Sequence, residues 1–211
     1  MKVKQFTFNP VQVNTFVAYD ETKECVIIDA GCFFPEEEKA LSDFIKKENL
    51  KPVRLLNTHG HFDHIFGVNF VQKTYNLTHE GNPADNHWIE KMPDRAALFG
   101  FTDIEPVEPM PKPIAEGDVV TFGNSRLKVL HIPGHSAGSL VYYSEESKIL
   151  FAGDVLFRGS IGRTDLPQGD YGTLIRNIQE KLLNLPPETV VYSGHGEATT
   201  IGWEKENNPF F

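Results

Sequence analysis

The segment Thr58-His59-Gly60-His61-Phe62-Asp63-His64 is the most informative stretch of the sequence. It directly follows Val53-Arg54-Leu55-Leu56, an apolar run typical of a buried β-strand. A strand end leaves the next residues in a loop at the sheet edge, where alternate side chains such as His59 and His61 can point the same way. Imidazole and carboxylate groups suit zinc, iron or manganese. A polar turn that happens to be rich in histidine is the alternative, but four ligand-type groups so closely spaced favour a metal site.

Three later segments repeat one arrangement, in which an apolar strand ends in a ligand-type residue beside glycine. They are Leu127 to Ile132 before Pro133-Gly134-His135-Ser136, Ile149 to Ala152 before Gly153-Asp154, and Val190 to Ser193 before Gly194-His195-Gly196. Glycine permits sharp turns and a close backbone approach. One Gly-His pair is weak evidence for a ligand, but four strand ends of this kind in one chain support one another.

The wider pattern predicts two strand-rich halves, each with helices. Strands are predicted over 11–19, 25–29, 53–56, 119–122, 127–132, 140–143, 149–152 and 189–193. Helices are predicted over 36–48 and 171–183, the second with Asp170 as N-cap, and a helical region with breaks at 81–83 and Pro93 over 65–99. The proline-rich stretch 106–113 is expected to be an extended surface loop. This order favours two packed sheets with helices outside.

Composition and charge limit the classes of function. The length of 211 residues suits one domain over 1–211, and the net charge of −9 argues against nucleic acid or an anionic membrane as a partner. We find no run of 18 apolar residues and no apolar stretch typical of a signal peptide at the N-terminus. Cys25 and Cys32 are expected to be reduced thiols in the cytoplasm. The oligomeric state stays open.

These motifs together resemble the metallo-β-lactamase-fold hydrolases. The signature of that family is a THxHxDH segment, then a Gly-His, a bridging Asp and a final His, and all stand here in that order from Thr58 to His195. The resemblance covers essentially the whole chain. It implies an α/β fold, a four-layer αββα sandwich of two mixed β-sheets flanked by helices, with the site on one edge between the sheets.

The resemblance also implies a role for each ligand-type residue. The first metal would be held by His59, His61 and His135, the second by Asp63, His64 and His195, and both by Asp154. It implies two divalent ions, with zinc expected and iron, manganese or a single bound metal also possible. Asp63 would in addition orient the attacking hydroxide or pass its proton to the product.

Within the family the chain looks most like the short, single-domain glyoxalase II branch, the hydroxyacylglutathione hydrolases. The supporting segments are Gly153 to Phe157 and Gly162-Arg163-Thr164-Asp165-Leu166-Pro167. A small-molecule thioester is therefore the expected substrate. The longer enzymes add a C-terminal helical domain with basic residues for glutathione, whereas this chain stops 16 residues after His195, so the glutathione preference is open. Lactam-cleaving members with a zinc-bound thiolate have Cys at the position of Asp154, which argues against antibiotic cleavage.

Residues around the ligand pattern have two possible roles each. Asp29 and Thr58 would brace the metal loop, although Asp29 could equally be a plain turn carboxylate. Arg163 would hold a substrate carboxylate, or instead form an internal ion pair with Asp165. The side chains expected to be structural are His131 in a strand, His79 and His87 at the surface, and Trp88 and Trp203 in packing.

Two other functions remain possible at the level of sequence. Persulfide dioxygenases share the fold and the Gly162 to Asp165 segment. Their single iron would be held here by His59, His135 and Asp154, a 2-His-1-carboxylate triad. A metal-binding scaffold without turnover is the second, which the intact ligand set does not favour.

Overall fold

The computed structural model describes residues 1–102 and 104–211, and most of its strands form two six-stranded sheets. The first sheet runs, from edge to edge, β1 (Lys2–Phe8), β2 (Val13–Tyr19), β3 (Glu24–Ile28), β4 (Lys51–Leu56), β5 (His79–Gly81) and β6 (Lys112–Pro113). Strands β1 to β3 pair antiparallel, and β3 to β6 pair parallel. The sheet is therefore mixed, as predicted.

The second sheet is also mixed, with one parallel pair. Its strands are β7 (Val119–Phe122), β8 (Ser125–His131), β9 (Leu140–Ser144), β10 (Ile149–Gly153), β13 (Val190–Ser193) and β14 (Thr199–Thr200), in the spatial order β14-β13-β10-β9-β8-β7. Of its described strands, β10 and β13 pair parallel and the other neighbours pair antiparallel. A small hairpin, β11 (Leu156–Phe157) with β12 (Ser160–Ile161), follows β10.

Seven α-helices occur in the described residues. They are α1 (Pro35–Lys47), α2 (Phe62–Ile65), α3 (Val68–Tyr75), α4 (Asn86–Glu90), α5 (Met92–Ala97), α6 (Tyr171–Asn177) and α7 (Ile201–Asn207). A 3-10 turn at Pro83–Asp85 precedes α4, and a π-helical turn at Ile178–Leu182 continues α6. Within the described residues, none of these helices has the length and apolar character that crossing a membrane would need.

The core has three parts, which define four layers. In β3, Val26 and Ile28 face the second sheet, where they meet Phe151 and its neighbours, while Cys25 and Ile27 face α1. Because both faces of β3 are buried, its sequence is a continuous apolar run and does not alternate with polar residues. On the far side of the second sheet, a third group packs against the buried face of α6 and its continuation: Leu174, Ile178 and Leu182. The predicted αββα sandwich is confirmed.

The predicted elements differ from the observed ones mainly at short strands. The helical prediction over 65–99 is wrong at His79–Gly81, which pairs parallel with β4. The loop prediction over 106–113 is wrong at Lys112–Pro113, which pairs with β5. These segments have two or three residues and no β-branched side chain, so they give no sequence signal. The N-cap of α6 is confirmed, since Asp170 accepts a hydrogen bond from the Thr173 N–H at 2.6 Å.

Candidate metal centre

All seven predicted ligands meet at one edge of the sandwich, where strand ends from both sheets converge. The loop after β4 and helix α2 carry the histidine-rich segment, while His135, Asp154 and His195 follow β8, β10 and β13. The two sheets are joined at this edge by backbone contacts. The Leu140 N–H donates to the Thr58 carbonyl at 2.7 Å, and the Asn14 N–H donates to the Gly194 carbonyl at 2.7 Å.

The first cluster consists of three imidazoles, those of His59, His61 and His135. His61 Nδ1 lies 3.0 Å from both His59 Nε2 and His135 Nε2, and these two Nε2 atoms are 3.3 Å apart. Three ligands at about 2.1 Å from a tetrahedral ion would be about 3.4 Å from one another. The three nitrogens therefore have nearly the separation that one bound zinc-sized ion requires.

The second cluster combines a carboxylate with two imidazoles. Asp63 Oδ2 lies 3.2 Å from His195 Nε2 and 3.7 Å from His64 Nε2. Asp154 lies between the clusters. Its Oδ1 is 3.4 Å from His64 Nε2, and its Oδ2 is 3.7 Å from His195 Nε2 and 3.8 Å from His135 Nε2. One carboxylate thus contacts ligands of both clusters.

The outer nitrogens of four histidines donate hydrogen bonds to oxygen atoms. His135 Nδ1 donates to the Arg163 carbonyl at 2.9 Å, and His195 Nδ1 donates to the Gln12 carbonyl at 3.1 Å. With the proton on Nδ1, the lone pair of Nε2 faces the other ligands. Such outer acceptors fix the orientation of metal-binding histidines and raise their basicity.

The other two of these four histidines, His59 and His64, are supported by Asp29. The carboxylate contacts His64 directly and His59 through Thr58. Its Oδ2 accepts from His64 Nδ1 at 2.9 Å and from the Thr58 hydroxyl at 2.6 Å. Because Thr58 Oγ1 gives its proton to Asp29, it accepts from His59 Nδ1 at 3.1 Å. Asp29 has a φ of +53°, a backbone conformation that Asp tolerates better than most residues. One buried carboxylate therefore orients a ligand of each cluster.

Electrostatics differ between the clusters. Burial and the neighbouring imidazoles lower the pKa of His59 well below its usual value and the pKa of His61 to about 3, so both are neutral. Burial would raise the pKa of Asp154, but His64 and His195 outweigh it and hold that pKa well below its usual value. Burial opposes a charge on His64, yet Asp154 and Asp63 raise its pKa well above the usual value. The second cluster therefore favours positive charge at its centre.

Unsatisfied polar atoms test whether the site fits a metal. His64 Nε2 and Asp154 Oδ1 are buried and have no hydrogen-bond partner among the described residues, although they are 3.4 Å apart. A buried polar atom without a partner costs about 1–3 kcal/mol. A cation between the two atoms would satisfy both, so the residues present fit a bound divalent metal.

The family assignment agrees with this geometry. A family model described as the metallo-beta-lactamase superfamily matches residues 8–195, which include every ligand of both clusters. The chain belongs to the metallo-β-lactamase superfamily.

Three similar proteins bear on the function of this superfamily member. "Hydroxyacylglutathione hydrolase GloC" of Haemophilus influenzae is 36% identical, over 100% of this chain and 98% of its own. The "BLEG-1 B3 metallo-beta-lactamase" structure is 40% identical with a TM-score of 0.90, covering 99% of each chain. The structure of "TTHA1623 in a di-iron-bound form" is 38% identical with a TM-score of 0.87, covering 99% of this chain and 100% of the other. With the paired ligand clusters, these findings support a metallo-hydrolase.

A cavity of about 430 Å³ opens directly onto the clusters. Five ligands line it, together with apolar and cationic side chains; the ligands are His61, Asp63, His135, Asp154 and His195. Its remaining wall is formed by Val11, Phe62, Trp88, Arg95, Leu98, Phe99, Arg163 and Leu166. A small molecule entering this cavity would therefore reach both clusters.

Arg163 lines this cavity but is already paired. Its Nε and Nη2 each donate to one oxygen of Asp165 at 2.7 Å, the internal ion pair considered from the sequence. The side chain of Arg163 is also 56% exposed. Its role in substrate binding stays a prediction, as does a supporting role for Asp165, whose carboxylate contacts Arg163.

The other histidines and tryptophans lie outside both clusters. His131 ends β8, as predicted, and its Nε2 donates to the Ala137 carbonyl at 2.7 Å. The prediction that His79 is a surface group is wrong, because it is fully buried in β5 and its Nε2 donates to the Glu108 carbonyl. The ring of Trp88 packs edge-on against His61 with centroids 4.7 Å apart, and Trp203 stacks with Arg158.

Sequence reasoning missed Asp85, which joins the two loops of the first cluster. Its Oδ2 accepts from the Gly60 N–H at 2.9 Å and from the Ser136 hydroxyl at 2.7 Å, and its Oδ1 accepts from the Gly138 N–H at 2.6 Å. Gly60 lies between two ligands, and Ser136 follows the third. Asp85 is fully buried, yet the sequence Asn82-Pro83-Ala84-Asp85 reads as an ordinary turn, so no local pattern marks it.

Proposed function

We propose that this protein hydrolyses small-molecule thioesters, with hydroxyacyl-glutathione compounds as the leading class. The observation that carries the proposal is the convergence of seven side chains into two metal-ligand clusters that share Asp154 and open on one cavity. The 36% identity with a protein named hydroxyacylglutathione hydrolase, over essentially the whole length of both chains, supports this substrate class.

Two divalent ions would be held by the clusters, with His59, His61 and His135 around one and Asp63, His64 and His195 around the other. The donor set of imidazole and carboxylate suits zinc first, and the di-iron form of TTHA1623 supports iron as the alternative. Metal ions bound at such a centre would lower the pKa of a coordinated water to about 7 and would polarise a carbonyl oxygen.

Asp63 is the residue of the chain best placed to handle the proton of the attacking water. His64 and His195 lower its pKa despite burial, so the carboxylate is ionised and can accept a hydrogen bond. Asp63 also lines the cavity, where a substrate carbonyl would lie. The water oxygen adds to the carbonyl carbon and the carbon–sulfur bond breaks. Asp63 then passes the proton to the leaving thiolate, giving a carboxylic acid and a thiol.

Release of free thiol from S-lactoylglutathione tests this proposal. Protein loaded separately with zinc, iron(II) or manganese is assayed with a thiol reagent, and metal content is measured on the same sample. We expect turnover with about two metal ions per chain, and its loss in His59→Ala. A metal-loaded, folded protein that releases no thiol from this or a simpler thioester would refute the proposal.

The dioxygenase alternative makes a different prediction for the same samples. Within the triad that this alternative needs, His135 Nε2 is 3.3 Å from His59 Nε2 and 3.8 Å from Asp154 Oδ2. The second cluster would then be unnecessary. Oxygen consumption with glutathione persulfide by a sample that holds one iron would favour this alternative over the hydrolase.

A β-lactam substrate is the second candidate, because a protein titled as a B3 metallo-β-lactamase is 40% identical to this chain. This relative weakens the expectation against antibiotic cleavage that rests on Asp154. Nitrocefin assayed beside S-lactoylglutathione decides between the two: a kcat/KM higher for nitrocefin would favour the lactamase.

A further inference from the structure

The outer wall of the cavity carries an arginine that the sequence did not suggest. Arg95 lies on α5, is half-buried, and lines the same cavity as the metal ligands. Its Cζ lies 5.0 Å from the ring centre of Trp88, in cation–π contact. Trp88 in turn packs edge-on against the ligand His61. A single indole ring therefore separates the guanidinium from the metal centre.

The two cavity arginines differ in their partners. Both oxygens of Asp165 occupy the guanidinium of Arg163. Arg95 forms no ion pair and no side-chain hydrogen bond with any residue in 1–102 or 104–211, in a chain with 29 acidic residues. A guanidinium has five N–H donors in a planar fork, so Arg95 can still receive an anion.

Two apolar side chains at the cavity wall are unusually exposed. Leu98 is 76% exposed and Phe99 is 63% exposed, immediately after α5. Both line the cavity together with Arg95. An apolar surface beside a guanidinium without an ion pair among the described residues is suited to a ligand that combines an aliphatic part with a carboxylate.

We propose that Arg95 binds a carboxylate of the substrate, and that the preferred substrates are therefore anionic thioesters. The stacking on Trp88 holds the guanidinium in place before the substrate arrives, which reduces the entropy lost on binding. The carboxylate accepts two hydrogen bonds from the fork, while Leu98 and Phe99 cover aliphatic atoms of the substrate. This inference rests on the proposed thioester hydrolysis for its kinetic test but not for its binding test.

The kinetic test varies the charge of residue 95 and the charge of the substrate independently. Wild-type protein, Arg95→Met and Arg95→Lys are compared on S-lactoylglutathione and on its dimethyl ester, which lacks both carboxylates. We expect Arg95→Met to raise KM for the anionic substrate about tenfold or more, with little change in kcat, and to leave KM for the diester unchanged. Arg95→Lys should recover part of the loss, because it keeps the charge without the fork.

Two controls make the result specific. Arg126→Met removes an exposed arginine of β8 that pairs with Glu146 and lies outside the cavity lining. It should change the KM neither for S-lactoylglutathione nor for its dimethyl ester. S-succinyl-N-acetylcysteamine carries its carboxylate on the acyl half, so it shows on which side of the thioester Arg95 acts. Arg95 dependence with neither anionic substrate, or an equal change with the diester, would overturn the proposal.

A binding measurement keeps the inference testable even if no thioester is hydrolysed. S-methylglutathione has no thioester to cleave, and its binding to the metal-loaded protein can be measured by calorimetry. We expect Arg95→Met to weaken its Kd about tenfold, with Arg95→Lys intermediate and Arg126→Met unchanged. Equal binding of S-methylglutathione by wild-type and Arg95→Met protein would contradict the role of Arg95 on the thiol half of the substrate, whatever the reaction. If neither protein binds it and the succinyl thioester shows no dependence on Arg95, the role of Arg95 is contradicted altogether.

Discussion

The two ligand clusters share a carboxylate but differ in burial and charge. The first is built from three imidazoles that are each 9% exposed or less. The second contains an ionised carboxylate, and its His195 side chain is 25% exposed. Both clusters reach the cavity, but the first is buried throughout, which favours firm retention of a metal. The partly exposed His195 makes the second cluster the better position for exchange of water and product.

Replacement of the shared carboxylate is expected to have the largest effect on both clusters. Asp154→Asn keeps the shape of the side chain but removes the charge that faces ligands of each cluster. We expect kcat/KM for thioester hydrolysis to fall by more than the 10- to 100-fold typical of a residue that only supports a ligand. Metal content should drop below two ions per chain, measured by elemental analysis after dialysis. Full metal content with normal turnover would show that Asp154 is not shared.

Single-ligand variants should separate the clusters. His195→Ala removes the partly exposed ligand of the second cluster. We therefore expect about one metal ion per chain to remain, held by the first cluster. His61→Ala removes a ligand of the first cluster, and we expect the retained metal to be the one held by Asp63, His64 and His195. Metal titration by calorimetry distinguishes one retained site from none. Identical binding isotherms for the two variants would remove the distinction drawn between the clusters.

The supporting carboxylates provide a finer test. Among the described residues, the Asp85 side chain hydrogen-bonds the two loops of the first cluster, whereas Asp29 orients His64 directly and His59 through Thr58. Asp85→Asn should therefore weaken metal binding at the first cluster about 10- to 100-fold and spare the second.

Asp29→Asn should weaken both clusters by a similar factor, which a competition titration with a chelator would measure. The decisive result is that Asp85→Asn weakens metal binding at the first cluster more than at the second. If it weakened both clusters equally, the change would reflect a general loss of structure and not the support of two particular loops.

The convergence of these seven side chains could be predicted from the sequence, because each ligand-type segment follows a strand with a strong apolar pattern. β3 and α6 were also predictable, since β3 is a continuous apolar run buried on both faces and the buried side chains of α6 and its continuation recur every four residues. Strand ends of this kind are local features, and the resemblance to a known family placed them in one site. Short edge strands such as β5 and β6 lack this signal, because their pairing depends on neighbours distant in the chain.

The supporting residues could not be found in the same way. Asp85 acts on Gly60 and Gly138, 25 and 53 positions away, through hydrogen bonds that no spacing rule describes. The sequence suggested a pair of Arg163 with Asp165, whereas nothing in it singles out Arg95, and only the structure shows that Arg95 also lines the cavity. Long-range polar contacts therefore account for most of what the sequence left open.

The end of the sandwich remote from the metal centre offers a control for all these comparisons. Asp20, in the turn before β3, accepts hydrogen bonds from the Asn124 N–H at 2.8 Å and the Ser125 hydroxyl at 2.9 Å, which joins the two sheets. Burial would raise the pKa of Asp20, but bonds from Thr22, Ser125 and Asn124 outweigh it and lower that pKa. The carboxylate therefore contributes stability above its ordinary pKa of 3.8, and this is lost as the pH falls through the lower folded value.

Asp20→Asn should lower the free energy of unfolding by about 1–2 kcal/mol at pH 6, because part of this hydrogen bonding is lost. The difference from wild type should be the same at pH 4.5 and should shrink below pH 3.8, measured by urea unfolding of the metal-free protein. Metal affinity of both clusters at pH 7 should stay within about twofold of wild type, since no metal ligand contacts Asp20. A loss of metal binding as large as that of Asp29→Asn would mean that cluster geometry follows the stability of the whole fold, and the local account of the two clusters would then fail.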